Sequence, residues 1–144
     1  MKITVQCGEG QPLLNRSSQK TVLVVEDEAF VRESTCEILQ NAGYRVLQAS
    51  NAADARSVFL SAGTQIDLLL CDAVLPDENG LSLARILRWK SLGLRTLTVS
   101  GYPRSVLLEQ FELSPQGLVL NKPYCASVLL ATIDGLLRPR KRTA

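Results

Sequence analysis

Four short stretches carry side chains that could do chemistry together: Glu26-Asp27-Glu28, Cys71-Asp72, Ser100-Gly101 and Asn121-Lys122-Pro123. Brought to one place they would supply carboxylates, a hydroxyl and an ammonium. Glu26, Asp27 and Asp72 in such a group would repel one another unless a cation sat among them. No histidine occurs in the 144 residues, and the four cysteines, Cys7, Cys36, Cys71 and Cys125, form no C-x-x-C pair. The candidate ligands are therefore hard oxygens, which favour Mg2+. The lack of histidine also removes Ser-His and Cys-His catalysis, His-ligated zinc and any role as a histidine phosphodonor. Each stretch alone has a plainer reading. Acids after a strand complement a helix dipole, an Asp before a loop forms a turn, Ser-Gly is a common turn and Lys-Pro a solvated strand exit. Their conjunction is what asks for a function.

That conjunction depends on the elements that hold the four stretches. Five apolar runs, Thr21–Val25, Arg45–Ala49, Ile66–Cys71, Thr96–Ser100 and Gly117–Asn121, are mostly continuous rather than alternating, as strands buried on both faces should be. Between them the apolar spacing is helical. Phe30, Val31, Ile38, Leu39 and Ala42 precede Gly43, a C-terminal cap, and Asn51 opens a second helix running through Leu60 to Gly63. Leu81, Ala84, Ile86 and Leu87 mark a third, with Trp89 and Leu92 partly packed near its end. Val106, Leu107, Leu108 and Phe111 mark a fourth, stopped by Ser114-Pro115, and Leu129, Ile133, Leu136 and Leu137 the last. Strand then helix, five times over, with right-handed crossovers, predicts an α/β fold: a parallel sheet with helices on both faces. Ligands in such sheets bind beyond the carboxyl ends of the strands. All four reactive stretches sit there.

Composition fits one globular domain, 46% hydrophobic and 21% charged. No apolar run approaches a membrane span and the start of the chain has no signal core, so a cytoplasmic protein with free thiols and no membrane partner is expected. The net charge of +2 hides a division: residues 21–137 hold nine basic and thirteen acidic side chains, while both ends are basic. An acidic body is a poor footprint for nucleic-acid binding. The expected organisation is an extension over 1–20, in which Ile3–Val5 could add a short strand, a domain over 21–137, and a solvated basic tail over 138–144.

Over residues 21–137 the chain resembles the receiver domain of two-component response regulators. The resemblance is carried by Val22-Leu23-Val24-Val25-Glu26-Asp27-Glu28, by the run from Asp67 to Gly80 (DLLLCDAVLPDENG), by Thr98-Val99-Ser100-Gly101 and by Leu120-Asn121-Lys122-Pro123. It implies a doubly wound, flavodoxin-like, five-stranded parallel sheet in the order 2-1-3-4-5. It also implies a phosphoacceptor, Asp72, receiving a phosphoryl group from a sensor histidine kinase or histidine phosphotransfer protein. Asp27, Asp72, the backbone carbonyl of Val74 and Glu26 would hold Mg2+. Lys122 would pair with the phosphoryl group and Ser100 would donate to one of its oxygens. A cis peptide before Pro123 is implied as well.

The sequence departs from the family pattern in informative places. Val119, three before Lys122, stands where the family usually has Tyr or Phe, so the usual serine-to-aromatic coupling is not expected here; substitution by Tyr102 or Tyr124 is the lesser alternative. Val74 offers no polar group to orient water, and Tyr102 is bulky beside the expected water path, so a long-lived phosphoryl group is expected. With no room for a helix-turn-helix module, no DNA-binding domain is expected. Output would pass through contacts in trans on residues 102–135, to a downstream protein or within a phosphorylation-dependent homodimer. The chain reads either as a stand-alone regulator or as a receiver separated from a hybrid kinase, and as a signalling domain rather than an enzyme. The competing reading is a receiver-like interaction module that works without phosphorylation; the filled set Glu26, Asp27, Asp72, Ser100 and Lys122 argues against it.

Overall fold

The computed structural model describes residues 19–62, 65–115 and 117–139. The expected strand at Ile3–Val5, Cys7, the stop at Gly63 and the basic side chains from Arg140 onward lie outside them. Among the described residues five strands and five helices alternate: β1 (Thr21–Val25), α1 (Ala29–Asn41), β2 (Arg45–Ala49), α2 (Ala52–Ala62), β3 (Leu68–Asp72), α3 (Gly80–Lys90), β4 (Arg95–Ser100), α4 (Arg104–Gln110), β5 (Val119–Asn121) and α5 (Ala126–Leu137). All pairings are parallel and the sheet order is β2-β1-β3-β4-β5. This is the doubly wound, flavodoxin-like arrangement expected.

Alternation along the buried strands divides the core. Val22, Val24, Leu68, Leu70, Leu97 and Val99 point to one face, where Cys36 and Leu39 of α1 and Leu129 and Ile133 of α5 cover them. Leu23, Val25, Leu69 and Cys71 point to the other, beneath Ala52, Ala55 and Phe59 of α2 and Leu83, Ala84 and Leu87 of α3. Helices cover both faces of these strands, so no charged side chain lies within their buried length and chemistry is pushed to their ends.

Helix ends are set locally. Gly43, at φ +100, closes α1: its N–H bonds the Gln40 carbonyl and that of Tyr44 bonds Leu39. Asn51 does open α2, its side chain accepting from the Asp54 N–H. Helix α4 ends at Gln110, earlier than Ser114-Pro115, because Glu112 turns left-handed at φ 61 and the Leu113 N–H returns to the Leu107 carbonyl. Leu113 then packs on Leu107, Leu81 and Ala73.

Several apolar positions depart from expectation: Ala42, Ile86 and Leu108 are exposed rather than on the core-facing stripes, and three others depart further. Phe30 is 76% exposed rather than on the core face of α1, which uses Thr35, Cys36 and Leu39 instead. Trp89 and Leu92 are not partly packed but 80% and 91% exposed. Leu81, Leu83, Ala84 and Leu87 complete the inward stripe of α3, and Trp89 falls outside it. The cysteines Cys36, Cys71 and Cys125 are free thiols. Burial pushes the Cys36 thiol up to about 11 and that of Cys71 further still, so neither offers a reactive thiolate. Among the described residues no helix is long and apolar enough to cross a membrane.

Candidate functional site at the carboxyl rim

β1 and β3 are adjacent in the sheet, in a register that opposes Val25 to Cys71. The residues that follow, Glu26 and Asp72, therefore emerge side by side. Both are buried although both are acids. Lys122, leaving β5, reaches across to them: its Nζ lies 2.6 Å from Glu26 Oε1 and 2.6 Å from Asp72 Oδ2. Asp27 completes the acidic group, with one carboxylate oxygen from each of Glu26, Asp27 and Asp72 lying within 4.8 Å of one another. Lys122 thus pairs with two of the three carboxylates. The excess negative charge and the all-oxygen donor set fit a hard divalent cation such as Mg2+.

Burial decides how these groups ionise. Removal from water pushes the Glu26 carboxyl above the usual carboxylate range, against the opposing pull of its Lys122 bond. Burial alone would lower the Lys122 ammonium, but the bonds to Asp72 and Glu26 outweigh it and hold it above the ordinary lysine value. The ammonium is fixed in its charged form between two acceptors.

Backbone and neighbouring side chains lock this arrangement. Asp72 Oδ1 accepts from the Val74 N–H at 3.0 Å, so both carboxylate oxygens are engaged. Glu26 Oε2 accepts from the Glu28 N–H at 3.2 Å, and the Glu26 carbonyl accepts from Arg32 at 2.8 Å. The Lys122 N–H bonds the Ser100 carbonyl at 2.8 Å, tying the two loops together. Ser100 is fully buried, and its Oγ accepts from the Tyr102 N–H at 2.8 Å rather than contacting Asp72. The Lys122-Pro123 peptide is cis, as the resemblance implied.

Of the expected site residues, the fold gathers Glu26, Asp27, Asp72 and Lys122 directly, places Val74 on Asp72 through its amide, and holds Ser100 at the same rim one hydrogen bond away from Tyr102. The two tyrosines are held differently. The Tyr102 ring lies against Phe111, with centroids 5.6 Å apart, whereas the Tyr124 hydroxyl shares a 2.8 Å hydrogen bond with Thr35 of α1. Val119 packs beside Ala73, Leu81, Leu107 and Leu113.

Sequence reasoning missed the residues that hold the rim in place. Gly80 opens α3 so close to the end of β3 that a Cβ there would stand 1.9 Å from the Asp72 carbonyl oxygen. Asn79 caps the same helix, accepting from the N–H groups of Leu81 and Ser82. Asp77 accepts from Ala52 and Ala53 at the start of α2, and the Ala52 bond foremost holds its carboxyl below the usual range. Asn79-Gly80 before an apolar helix was a legible cap signal. Nothing local marks Asp77, whose partner is 25 residues away.

The chain is similar to known proteins in sequence and fold. The family model for the response regulator receiver domain matches residues 22–134. A sensor kinase, CckA of Brucella abortus, is 31% identical over 121 residues, covering 84% of this chain and 13% of its own length. The phosphate regulon transcriptional regulatory protein PhoB of Pseudomonas aeruginosa is 32% identical over 123 residues, covering 83% of this chain and 52% of its own length. The chain therefore spans only 13% and 52% of the lengths of these two relatives. The crystal structure of a CheY-like response regulator receiver domain protein from Methanospirillum hungatei superposes with a TM-score of 0.70 at 28% identity, covering 83% of this chain and 94% of that one. Since the matched segment runs from the first strand into the last helix, this chain belongs to the response regulator receiver domain family.

Proposed function

We propose that Asp72 is a phosphoacceptor, charged by a sensor histidine kinase or a histidine phosphotransfer protein of a two-component phosphorelay. The observation that carries this reading is the Lys122 ammonium held 2.6 Å from both Asp72 and Glu26 at a buried acidic rim. An Asp72 carboxylate oxygen attacks phosphorus. The P–N bond to the donor imidazole breaks, the nitrogen keeps the electron pair, and an acyl phosphate forms. A carboxylate is a weak nucleophile, so positioning and charge neutralisation supply most of the acceleration. The Val74 amide and Lys122 fix the attacking carboxylate. Lys122 then passes from carboxylate to phosphoryl oxygen, and the Ser100 hydroxyl proton serves a second phosphoryl oxygen. Asp27, Asp72, the Val74 carbonyl and Glu26 would hold Mg2+, which when bound offsets the negative charge of the phosphoryl oxygens.

Signalling follows from the loops joined at Ser100. A phosphoryl group adds charge and acceptor oxygens. Drawing Ser100 toward it moves Tyr102, whose N–H rests on the Ser100 Oγ and whose ring rests on Phe111 beyond α4. Tyr102 thereby takes the role that Val119 cannot, and biases the α4–β5–α5 face toward a downstream protein or a second copy in trans. The domain acts as a cytoplasmic signalling module with no turnover substrate of its own. Val74, with no polar side chain to orient water, keeps the phosphoryl group long-lived.

The test is intact mass after incubation with acetyl phosphate or phosphoramidate and Mg2+, alongside Asp72→Asn. The expected result is one phosphoryl group gained by the parent alone and prevented by a chelator, with decay over hours in the same time course. Uptake by Asp72→Asn would move the acceptor elsewhere. No uptake from small donors or a histidine kinase, with no Mg2+ binding, would leave an interaction module independent of phosphorylation.

A further inference from the structure

Parallel strands joined by helices put the far ends of α3 and α5 beside the starts of the strands, at the opposite end from Asp72. Lys20 immediately precedes β1, and Arg45 and Arg95 begin β2 and β4 there, aligned through the bonds Arg45 N–H to Lys20 carbonyl, Asp67 N–H to Thr21 carbonyl and Arg95 N–H to Asp67 carbonyl. From Arg85 to Arg95 the chain carries four basic side chains and no acid. Arg85 reaches Glu112 at 3.6 Å, whereas Arg88, Lys90 and Arg95 form no ion pair among the described residues. Between these cations stand Trp89 and Leu92, the most exposed large apolar side chains of the described residues, with Ile86 beside them. Leu92 sits in the tight turn that follows α3, where the Leu94 N–H returns to the Ser91 carbonyl.

We propose that this end of the domain docks on an anionic membrane surface, with Trp89 and Leu92 entering the headgroup boundary and Arg88, Lys90 and Arg95 pairing with lipid phosphates. Exposed apolar side chains ringed by lysine and arginine suit such a boundary, where indole settles and each cation adds attraction to anionic lipid. A second copy is a poor occupant, because a symmetric contact would set these cations against their own images. Single-stranded nucleic acid favours a groove with several stacking rings, whereas this is an exposed turn with one indole and two aliphatic chains. The expectation of no membrane partner rested on the lack of a spanning segment, and lying on a surface needs none. The acidic rim stays free at the other end.

Trp89 is the sole tryptophan of the chain and reports its own insertion. The full chain is mixed with vesicles of phosphatidylcholine, either alone or with roughly one third phosphatidylglycerol, and assayed by flotation and tryptophan emission. The expected outcome is flotation and a blue-shifted emission with the anionic vesicles only, both weakening as salt rises. The Arg88→Glu/Lys90→Glu double variant should lower partitioning at least about tenfold, and Leu92→Ser several-fold, with unchanged circular dichroism. No flotation overturns the proposal. So does flotation with unmoved emission or undiminished by the charge reversals, and so does binding of single-stranded oligonucleotide with none to vesicles. Phosphoryl uptake on Asp72 plays no part in the assay, so the two readings fail separately.

Discussion

The two ends of α3 obey opposite rules. Its amino end is wedged against the carbonyl of Asp72, capped by Asn79 and admits no side chain at Gly80. Its carboxyl end exposes Trp89 and is followed by a turn exposing Leu92, in a run of cations. Within one helix of eleven residues, a position where a methyl group has no room is followed by one where an indole is mostly in solvent. The amino end is fixed because it abuts the backbone of Asp72, and the required geometry lies within the domain. The carboxyl end is unconstrained from inside, so its residue types answer to something outside the fold or to nothing.

The sharpest way to break this contrast is Gly80→Ala. The added methyl collides with the Asp72 carbonyl, so either α3 backs away or the end of β3 moves. Overpacking of this kind costs about 1–3 kcal/mol, read as a lower urea midpoint at unchanged slope. Phosphoryl uptake should fall more than stability alone accounts for, because the displaced backbone carries the acceptor. Full uptake with wild-type stability would mean that the amino end is not the fixed one.

A smaller effect of instructive sign is expected at Glu26. Its folded pKa is raised, chiefly by burial, above an ordinary glutamate value of 4.5. Stability from such a group is complete below the unfolded value and is lost as pH rises through the folded one. At neutral pH ionised Glu26 is therefore a net cost, and in the presence of a chelator Glu26→Gln should raise Tm. The gap over the parent should be widest near neutrality and close as pH falls toward 4.5. A variant less stable than the parent at neutral pH would show that the Lys122 bond outweighs burial.

Much of the fold was legible because the buried strands leave little ambiguity: Thr21–Val25 and Arg45–Ala49 read from apolar runs as they stand, and Asp72 and Lys122 were reachable by looking only at strand ends. What escaped notice depends on contacts distant in sequence. Asp77 caps a helix that began 25 residues earlier, and the Thr35–Tyr124 bond spans 89. Gly80 reads as an ordinary helix start until the carbonyl beside it is seen. Phe30 and Trp89 misled for a different reason. Helical spacing finds the apolar stripe but does not exclude an apolar residue placed off it, and both lie near helix ends, where the covering neighbours run out.

Trp89 gives the smallest expected effect and completes the contrast. With its indole 80% exposed, Trp89→Ser removes almost no buried area, and the change in unfolding free energy should stay within about 0.5 kcal/mol, followed by circular dichroism since the fluorophore is gone. Phosphoryl uptake should be unaltered, because α3 meets the acidic rim only at its other end. Vesicle flotation should nevertheless fall. A stability loss several times larger would place the indole in the packing of α3 and remove the argument that its exposure serves a surface. Retained stability with lost flotation would mean that one helix divides two duties, its amino end holding Asp72 in place and its carboxyl end holding the domain to a membrane.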